Sequence, residues 1–436
     1  MRLLLHAVNG CVPYLSPSVL QANFPPSDLL WLGMAVRDVS VVADYNTAGT
    51  GRQKKKAQKA SPSSDGKNGA KQRTARGFTF DSVPPDPWLL QYQRVTVPTF
   101  DLRIDDNNNH SLTSNKQPNQ TKQAAHPKLQ TSTSSDKHVS VWTPHGRQKL
   151  TPQLYSVAAK GLSSQTSVSL FDMDEPNISK NRGTKALERN KKWFSHLKEQ
   201  QREEEQVPSR RVWYPLLMPP VNVRDISTFI RDALPRKEMN HQLDGIALIG
   251  KFENKQMMTQ VLHAINREAV GVSDIAILAT ESLVEFLEIV SCYEDINVIG
   301  MDLPTRWAKQ QMAFGIRFDT SVLKGSSAKK ARTQRELDLT PPPLNRDGCM
   351  DLSDHVYARD TSPLVVGCSC LTCDRFSRAY IHHLVQAKEL LAEILLFGHN
   401  LHHTLIMMKA FNESERMSAL DFQRVILDQL LSLIHI

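Results

Sequence analysis

No uninterrupted apolar run in this chain approaches the roughly 20 residues that a helix needs to cross a bilayer. The opening Met1-Arg2-Leu3-Leu4-Leu5-His6-Ala7-Val8 has too short an apolar core for a secretion signal, and Asn9-Gly10 after it is a turn pair. Export is therefore not expected, and the sequons at Asn119, Asn177 and Asn412 carry no glycan on this reading. Cysteine is scarce, six in 436 residues, and Cys11, Cys292 and Cys349 are scattered without framework spacing. That excludes a disulfide scaffold and fits a reducing compartment. No glycine-rich phosphate loop follows the first clear strand, which counts against a Rossmann domain.

Acids are the minority charge, 45 against 53 lysines and arginines, a formal net charge of +8. The surplus is local. Between Arg52 and Arg76 nine Lys or Arg face one acid, Asp65, so this segment alone accounts for it. The remainder is close to neutral, and net charge by itself gives little support to nucleic-acid binding.

At this length the chain can form one large barrel or two ordinary domains, and 40% hydrophobic residues support a sizeable core. Residues 1–50 mix short apolar runs with turns. Residues 51–77 are Lys, Ser, Gly and Gln without apolar periodicity, an insertion expected to be disordered. Order resumes over 78–104, and a second polar insertion, rich in Asn, Gln, Ser and Thr, fills 105–137. From 138 to 317 a rhythm sets in. A strand is expected at Val139-Ser140-Val141-Trp142, with a turn at His145-Gly146. Five apolar strands then alternate with amphipathic helices, the strands at 167–171, 212–218, 246–249, 275–278 and 297–299. Such alternation requires parallel pairing with right-handed crossovers, in an open doubly wound sheet or a closed (β/α)₈ barrel. The pattern favours the α/β barrel of TIM type, with its missing strands supplied by the first 145 residues. Residues 318–362 form a loop-rich link, and 363–431 a helical subdomain ending in an unusually apolar tail.

That subdomain opens with Cys368-Ser369-Cys370-Leu371-Thr372-Cys373, three thiols in six residues, and His399 follows one long helical run later. Zinc takes four soft or borderline donors in a tetrahedron, and a tight cysteine turn with a helix-borne imidazole supplies them. Three cysteines this close cannot all pair with one another. Spacing leaves His382, His383, His402 and His403 open as fourth ligands. The helix can return His399 to the turn if that residue lies near its far end or past a bend, for which Gly398 is the candidate.

These residues, with Ser377-Arg378-Ala379-Tyr380-Ile381-His382-His383-Leu384 and His399-Asn400-Leu401, resemble the zinc subdomain of the tRNA-guanine transglycosylase family. Its members exchange guanine for a queuosine-type base in tRNA. The resemblance covers about 139–430 clearly and 1–104 loosely. It implies a (β/α)₈ barrel with a zinc-binding helical subdomain, and one structural zinc held by Cys368, Cys370, Cys373 and His399.

Base exchange requires a carboxylate to attack the ribose C1′ and a second carboxyl to move protons. Catalytic members read Phe-Asp-Cys-Val-Leu-Pro-Thr-Arg at the last strand, and their Asp is the nucleophile. Here the same place reads Ile299-Gly300-Met301-Asp302-Leu303-Pro304-Thr305-Arg306, which puts Gly300 in the nucleophile's position. Asp302, two positions on, is the fallback nucleophile of an alternative, catalytically active reading. The Asp-Ser-Gly-Gly-Phe-Gln motif of the second carboxylate is missing. The base-binding Gly-Gly-Leu-x-x-Gly-Glu is eroded to Leu248-Ile249-Gly250-Lys251-Phe252-Glu253-Asn254. Phe171-Asp172-Met173-Asp174-Glu175-Pro176 retains the strand end whose acid contacts the base, making Asp172 a vestige of the base pocket or an N-terminal helix acid.

Three degraded elements beside an intact metal element resemble the non-catalytic accessory subunits of the eukaryotic branch. The resemblance then implies pairing with a catalytic subunit and support of tRNA while queuine replaces guanine at the wobble position of GUN-anticodon tRNAs. Candidate phosphate contacts are Arg306, Lys309, Lys324, Lys329, Lys330 and Arg332, against a solvated basic face of equal weight. A cytoplasmic location is expected, with peripheral association at the mitochondrial outer membrane as in animal relatives. A zinc-stabilised barrel with unrelated chemistry is the third reading.

Overall fold

In the computed structural model the described residues are 1–7, 14–15, 17–24, 26–27, 29–35, 93–97, 135–143, 146–162, 164–172, 180–203, 210–219, 223–235, 243–250, 254–269, 271–280, 282–316, 344–345 and 348–413. In chain order they form β1 (Arg2–Ala7), α1 (Pro17–Asn23), β2 (Leu30–Ala35), β3 (Gln93–Val97), β4 (Val139–Thr143), β5 (Gly146–Leu150), α2 (Pro152–Gly161), β6 (Thr166–Val168) and α3 (Lys180–Glu203). Then come β7 (Arg211–Leu217), α4 (Ile226–Ala233), β8 (Gly245–Ile249), α5 (Lys255–Glu268), β9 (Ile275–Thr280), α6 (Leu283–Cys292), β10 (Val298–Met301) and α7 (Leu303–Lys309). The subdomain adds β11 (Met312–Phe314), β12 (Cys349–Asp351), a 3₁₀ turn at His355–Tyr357, α8 (Leu371–Arg375), α9 (Arg378–Gln386) and α10 (Leu390–Glu413).

Eight strands close a parallel barrel in the order β1-β2-β3-β6-β7-β8-β9-β10, with β10 paired to β1. The five apolar runs of the sequence are β6 to β10, and β1, β2 and β3 are the strands that the first hundred residues supply. Alternation along the strands divides the core in two. Leu4, Trp31, Val95, Val168, Trp213, Ala247, Ala276 and Val298 pack inside the barrel. Leu3, Leu5, Leu32, Tyr214, Ile246, Ile299 and Met301 face outward against the helices. The helices start where a short side chain caps the first turn: Thr151 on the Leu154 amide, Asp225 on Thr228, Asn254 on Met257 and Ser282 on Glu285.

Val139–Thr143 is a strand, but not of the barrel. It pairs antiparallel with β5, only two residues further along the chain, as a separate two-stranded sheet. At the N-terminal ends of the strands, Asp274 accepts from Arg2 at 2.9 Å, Arg211 at 2.6 Å and Asn297 Nδ2 at 3.1 Å. The Arg2 guanidinium also lies 4.9 Å from the centre of the Trp31 ring. This charged floor joins four strands at the barrel end where such contacts serve stability. Of the insertions expected at 51–77 and 105–137, all of the first and 105–134 of the second lie outside the described residues, as do 318–343 of the link expected at 318–362 and the tail 414–436; residues 348–362 of that link carry β12 and the 3₁₀ turn. No helix among the described residues is long and apolar enough to cross a membrane.

Candidate metal centre and the barrel mouth

The four donors expected to bind metal are brought together. Among the described residues the Sγ atoms of Cys368, Cys370 and Cys373 and a ring nitrogen of His399 lie within 4.8 Å of one another, and no cysteine there is in a disulfide. Cys370 doubles as the N-cap of α8, its sulfur accepting from the Cys373 amide at 3.3 Å. That local bond folds the turn so that positions 370 and 373 face one point. His399 Nδ1 is 3.4 Å from both the Cys370 and the Cys373 sulfurs. Its Nε2 is 2.9 Å from the Phe314 carbonyl oxygen and must donate to it. The proton is thereby fixed on the far side of the ring and the Nδ1 lone pair turned to the sulfurs.

Gly398 is not the bend expected from the sequence. Helix α10 runs through it without interruption, and the reversal lies at Lys388, which takes a left-handed φ of 57° between α9 and α10. His399 lies near the middle of α10, not its far end. Thr372 Oγ1 donates to the Leu395 carbonyl at 2.8 Å and fastens α8 to α10. Next to the ligand, Asn400 accepts from the Phe314 amide at 2.8 Å and donates to the Met312 carbonyl at 3.0 Å, clamping β11. His403 lies one turn further on. It is buried, its ring centre 4.4 Å from that of His399, and burial holds its pKa well below the ordinary value.

Electrostatics favour a cation among the sulfurs. Hydrogen bonds from the Cys368 and Cys373 thiols drive the Cys370 thiol strongly down, whereas Cys368, donating to Cys370, is pushed up to about 11. Three sulfurs this close cannot all ionise by themselves. A metal ion lets them do so, and these four residues can hold one.

At the other end of α7, the place where the resemblance leads one to expect a nucleophile is occupied by Gly300 and is closed. Gly300 shares the inward face with Val298, and a Cβ built on it would lie 1.8 Å from the Leu278 carbonyl oxygen. The cause is a bulge. Ile299 pairs with Ile277 and Met301 with Thr280, so Gly300 alone opposes two residues of β9. His6, inward-facing two residues beyond Leu4, donates from Nε2 to the Leu278 oxygen at 2.8 Å, and Thr280 Oγ1 donates to the Gly300 carbonyl at 3.1 Å. The sequence gives no sign of this bulge, because it is a property of the strand pair.

Asp302 does not continue β10. It is the N-cap of α7, with φ −112° and ψ 5°, so strand alternation does not carry its side chain inward; its carboxylate pairs with Arg306. Asp172 is buried at the end of β6. Its amide donates to Asn190 at 2.7 Å, and its Oδ2 accepts from Arg189 at 2.7 Å, both partners on α3. The other oxygen has no hydrogen-bond partner among the described residues. Of the candidate phosphate contacts, Arg306 is tied to Asp302, Lys309 is exposed, and Lys324, Lys329, Lys330 and Arg332 lie outside the described residues.

With this geometry in hand, comparison with known proteins is decisive on one point. The family described as queuine tRNA-ribosyltransferase matches residues 100–419. The chain belongs to that family. It is 28% identical over 291 residues to a protein of Anopheles gambiae named queuine tRNA-ribosyltransferase accessory subunit 2, covering 62% of this chain and 59% of that one. A Schizosaccharomyces pombe protein of the same name is 27% identical over 265 residues, 61% of this chain and 53% of its own. A Syntrophobacter fumaroxidans queuine tRNA-ribosyltransferase is 31% identical over 193 residues, 44% and 43% of the two chains. The chain thus spans between two fifths and three fifths of these relatives. As a family member it keeps the barrel and the cysteine turn.

Proposed function

We propose that this chain is the accessory, non-catalytic partner of a queuine tRNA-ribosyltransferase. It pairs with a catalytic family member and supports the tRNA while guanine is exchanged for queuine at the wobble position of GUN-anticodon tRNAs. The observation that carries this reading is the pairing at the barrel mouth. Gly300 offers no nucleophile, and the Leu278 carbonyl fills the space one would need. The accessory-subunit names of the mosquito and yeast relatives support it.

On this reading the metal is one structural zinc. A tetrahedron with arms of about 2.0 Å to nitrogen and 2.3 Å to sulfur has donors roughly 3.5–3.8 Å apart, a spacing the four residues accommodate. All four positions are taken by protein, so the ion supplies shape and no open coordination site. In this role Cys368, Cys370 and Cys373 bind as thiolates, and Phe314 orients His399 from behind.

The test is base exchange. The purified chain alone, given a GUN-anticodon tRNA and labelled guanine, is expected to incorporate nothing. Together with the catalytic family member it is expected to co-purify and to raise exchange above that of the partner alone. Exchange by the isolated chain overturns the reading.

A further inference from the structure

The four donors of the metal centre are not held alike. Cys370 caps α8 and Cys373 lies within that helix, and the two are 6% and 9% exposed. His399 is fully buried in α10 and tied from behind to the Phe314 carbonyl. Cys368 belongs to no helix or strand, and of the three cysteines it alone is only partly buried. Its amide donates to the Val365 carbonyl at 3.1 Å, and its sulfur accepts from the Cys370 amide at 3.4 Å. The residues on either side, Gly367 and Ser369, are exposed. Gly367 takes a left-handed φ of 84°, and a Cβ built on it would meet nothing within 4 Å. The loop therefore has room to move on the side where Cys368 reaches solvent. The thiolate is the reactive form of cysteine, and oxidation follows thiolate character together with exposure. A bound metal keeps all three sulfurs as thiolates, so exposure decides among them, and it selects Cys368.

We propose that Cys368 is an oxidant-sensing thiolate, and that a peroxide acting on it opens the metal centre reversibly. The inference rests on the zinc reading above and adds a use for the one ligand that the fold leaves open. The Cys368 sulfur attacks one peroxide oxygen, the O–O bond breaks and hydroxide leaves, so the sulfur becomes a sulfenic acid. The Cys370 or Cys373 thiolate, each with its sulfur within 4.8 Å, then attacks the Cys368 sulfur and displaces a second hydroxide. Two thiolates have given up one electron each, and the peroxide has been reduced to two hydroxides. The product is a disulfide in place of two donors. His399 and one sulfur remain, too few to retain the ion. The change reaches the helices, because Cys370 or Cys373 turns with α8 and α8 is fastened to α10 through Thr372.

The test treats the zinc-loaded full chain with hydrogen peroxide beside a coloured metal chelator. The chelator is expected to fill only when peroxide is added, as mass mapping finds a disulfide joining Cys368 to Cys370 or Cys373. Dimedone, which traps sulfenic acids, should label Cys368 and leave Cys349, Cys370 and Cys373 unlabelled. A thiol reductant with added zinc should then restore the metal. A dimedone label on Cys370 or Cys373 instead, or metal retained after Cys368 is oxidised, overturns the proposal and leaves the zinc reading standing. Failure of reductant and zinc to restore the centre overturns the reversible switch. A chain that purifies without zinc and takes none up overturns the zinc reading and this proposal with it.

Discussion

Replacing Gly300 by alanine tests the closed mouth most directly. The added methyl would meet the Leu278 carbonyl oxygen at 1.8 Å, its carbon at 2.3 Å and its Cα at 3.0 Å, all backbone atoms that no rotamer change can move. Relief requires β9 and β10 to part by more than 1 Å. That breaks or lengthens the His6 bond to Leu278 and the Thr280 bond to Gly300, at about 1 kcal/mol each. Overpacking adds about 1–3 kcal/mol. A total loss of about 3–5 kcal/mol is expected, a large part of a stability of typical size. Denaturant unfolding reads it as a lower midpoint at constant slope. Gly300→Asp, which restores the family's attacking residue on paper, should be at least as unstable and gain no exchange activity. Gly300→Ala within about 0.5 kcal/mol of the parent would refute the bulge, and with it the argument that this site cannot be revived by one substitution.

Cys370→Ala removes a metal donor and the cap of α8 together; metal assay should find the ion lost, and limited proteolysis should cut within 363–413. A structural zinc is typically worth on the order of 10–16 kcal/mol of apparent binding energy, so retained metal would mean a wrong ligand set. Asn400→Ala leaves the Phe314 amide and Met312 carbonyl without their partner and should cost about 2–4 kcal/mol in thermal or denaturant unfolding. It should also weaken metal retention against a chelator, since Phe314 orients His399. Asp360 is held below its ordinary value: burial pushes it up, but bonds from Ser362 and Arg378 outweigh this. Its contribution is complete above the unfolded carboxylate value near 4 and is lost as pH falls through the lower folded value. Asp360→Asn should flatten that acid limb of stability against pH.

The sequence displayed what repeats and what clusters. Five apolar strands separated by capped amphipathic helices pointed to a parallel α/β sheet, and three cysteines in six residues followed by a helix-borne histidine pointed to a metal site, whose donors the structure brings together. β1, β2 and β3 were harder to see, because long polar insertions separate them and interrupt the strand–helix rhythm that identifies the rest. Gly398 was misjudged because the true reversal uses Lys388, a residue with no preference for left-handed backbone. The bulge at Leu278 was beyond reach, being set by which residues of two distant segments face each other.

One turn of α10 carries two consecutive residues with different allegiances. His399 points a nitrogen at the sulfurs, while Asn400 stitches the strand that follows the barrel's last helix. Cofactor retention and the attachment of that strand are thus a single cooperative property. On the accessory-subunit reading this would give a bound ion its use: held by these four residues it would act as a rivet, and losing it would loosen the wall of the vessel.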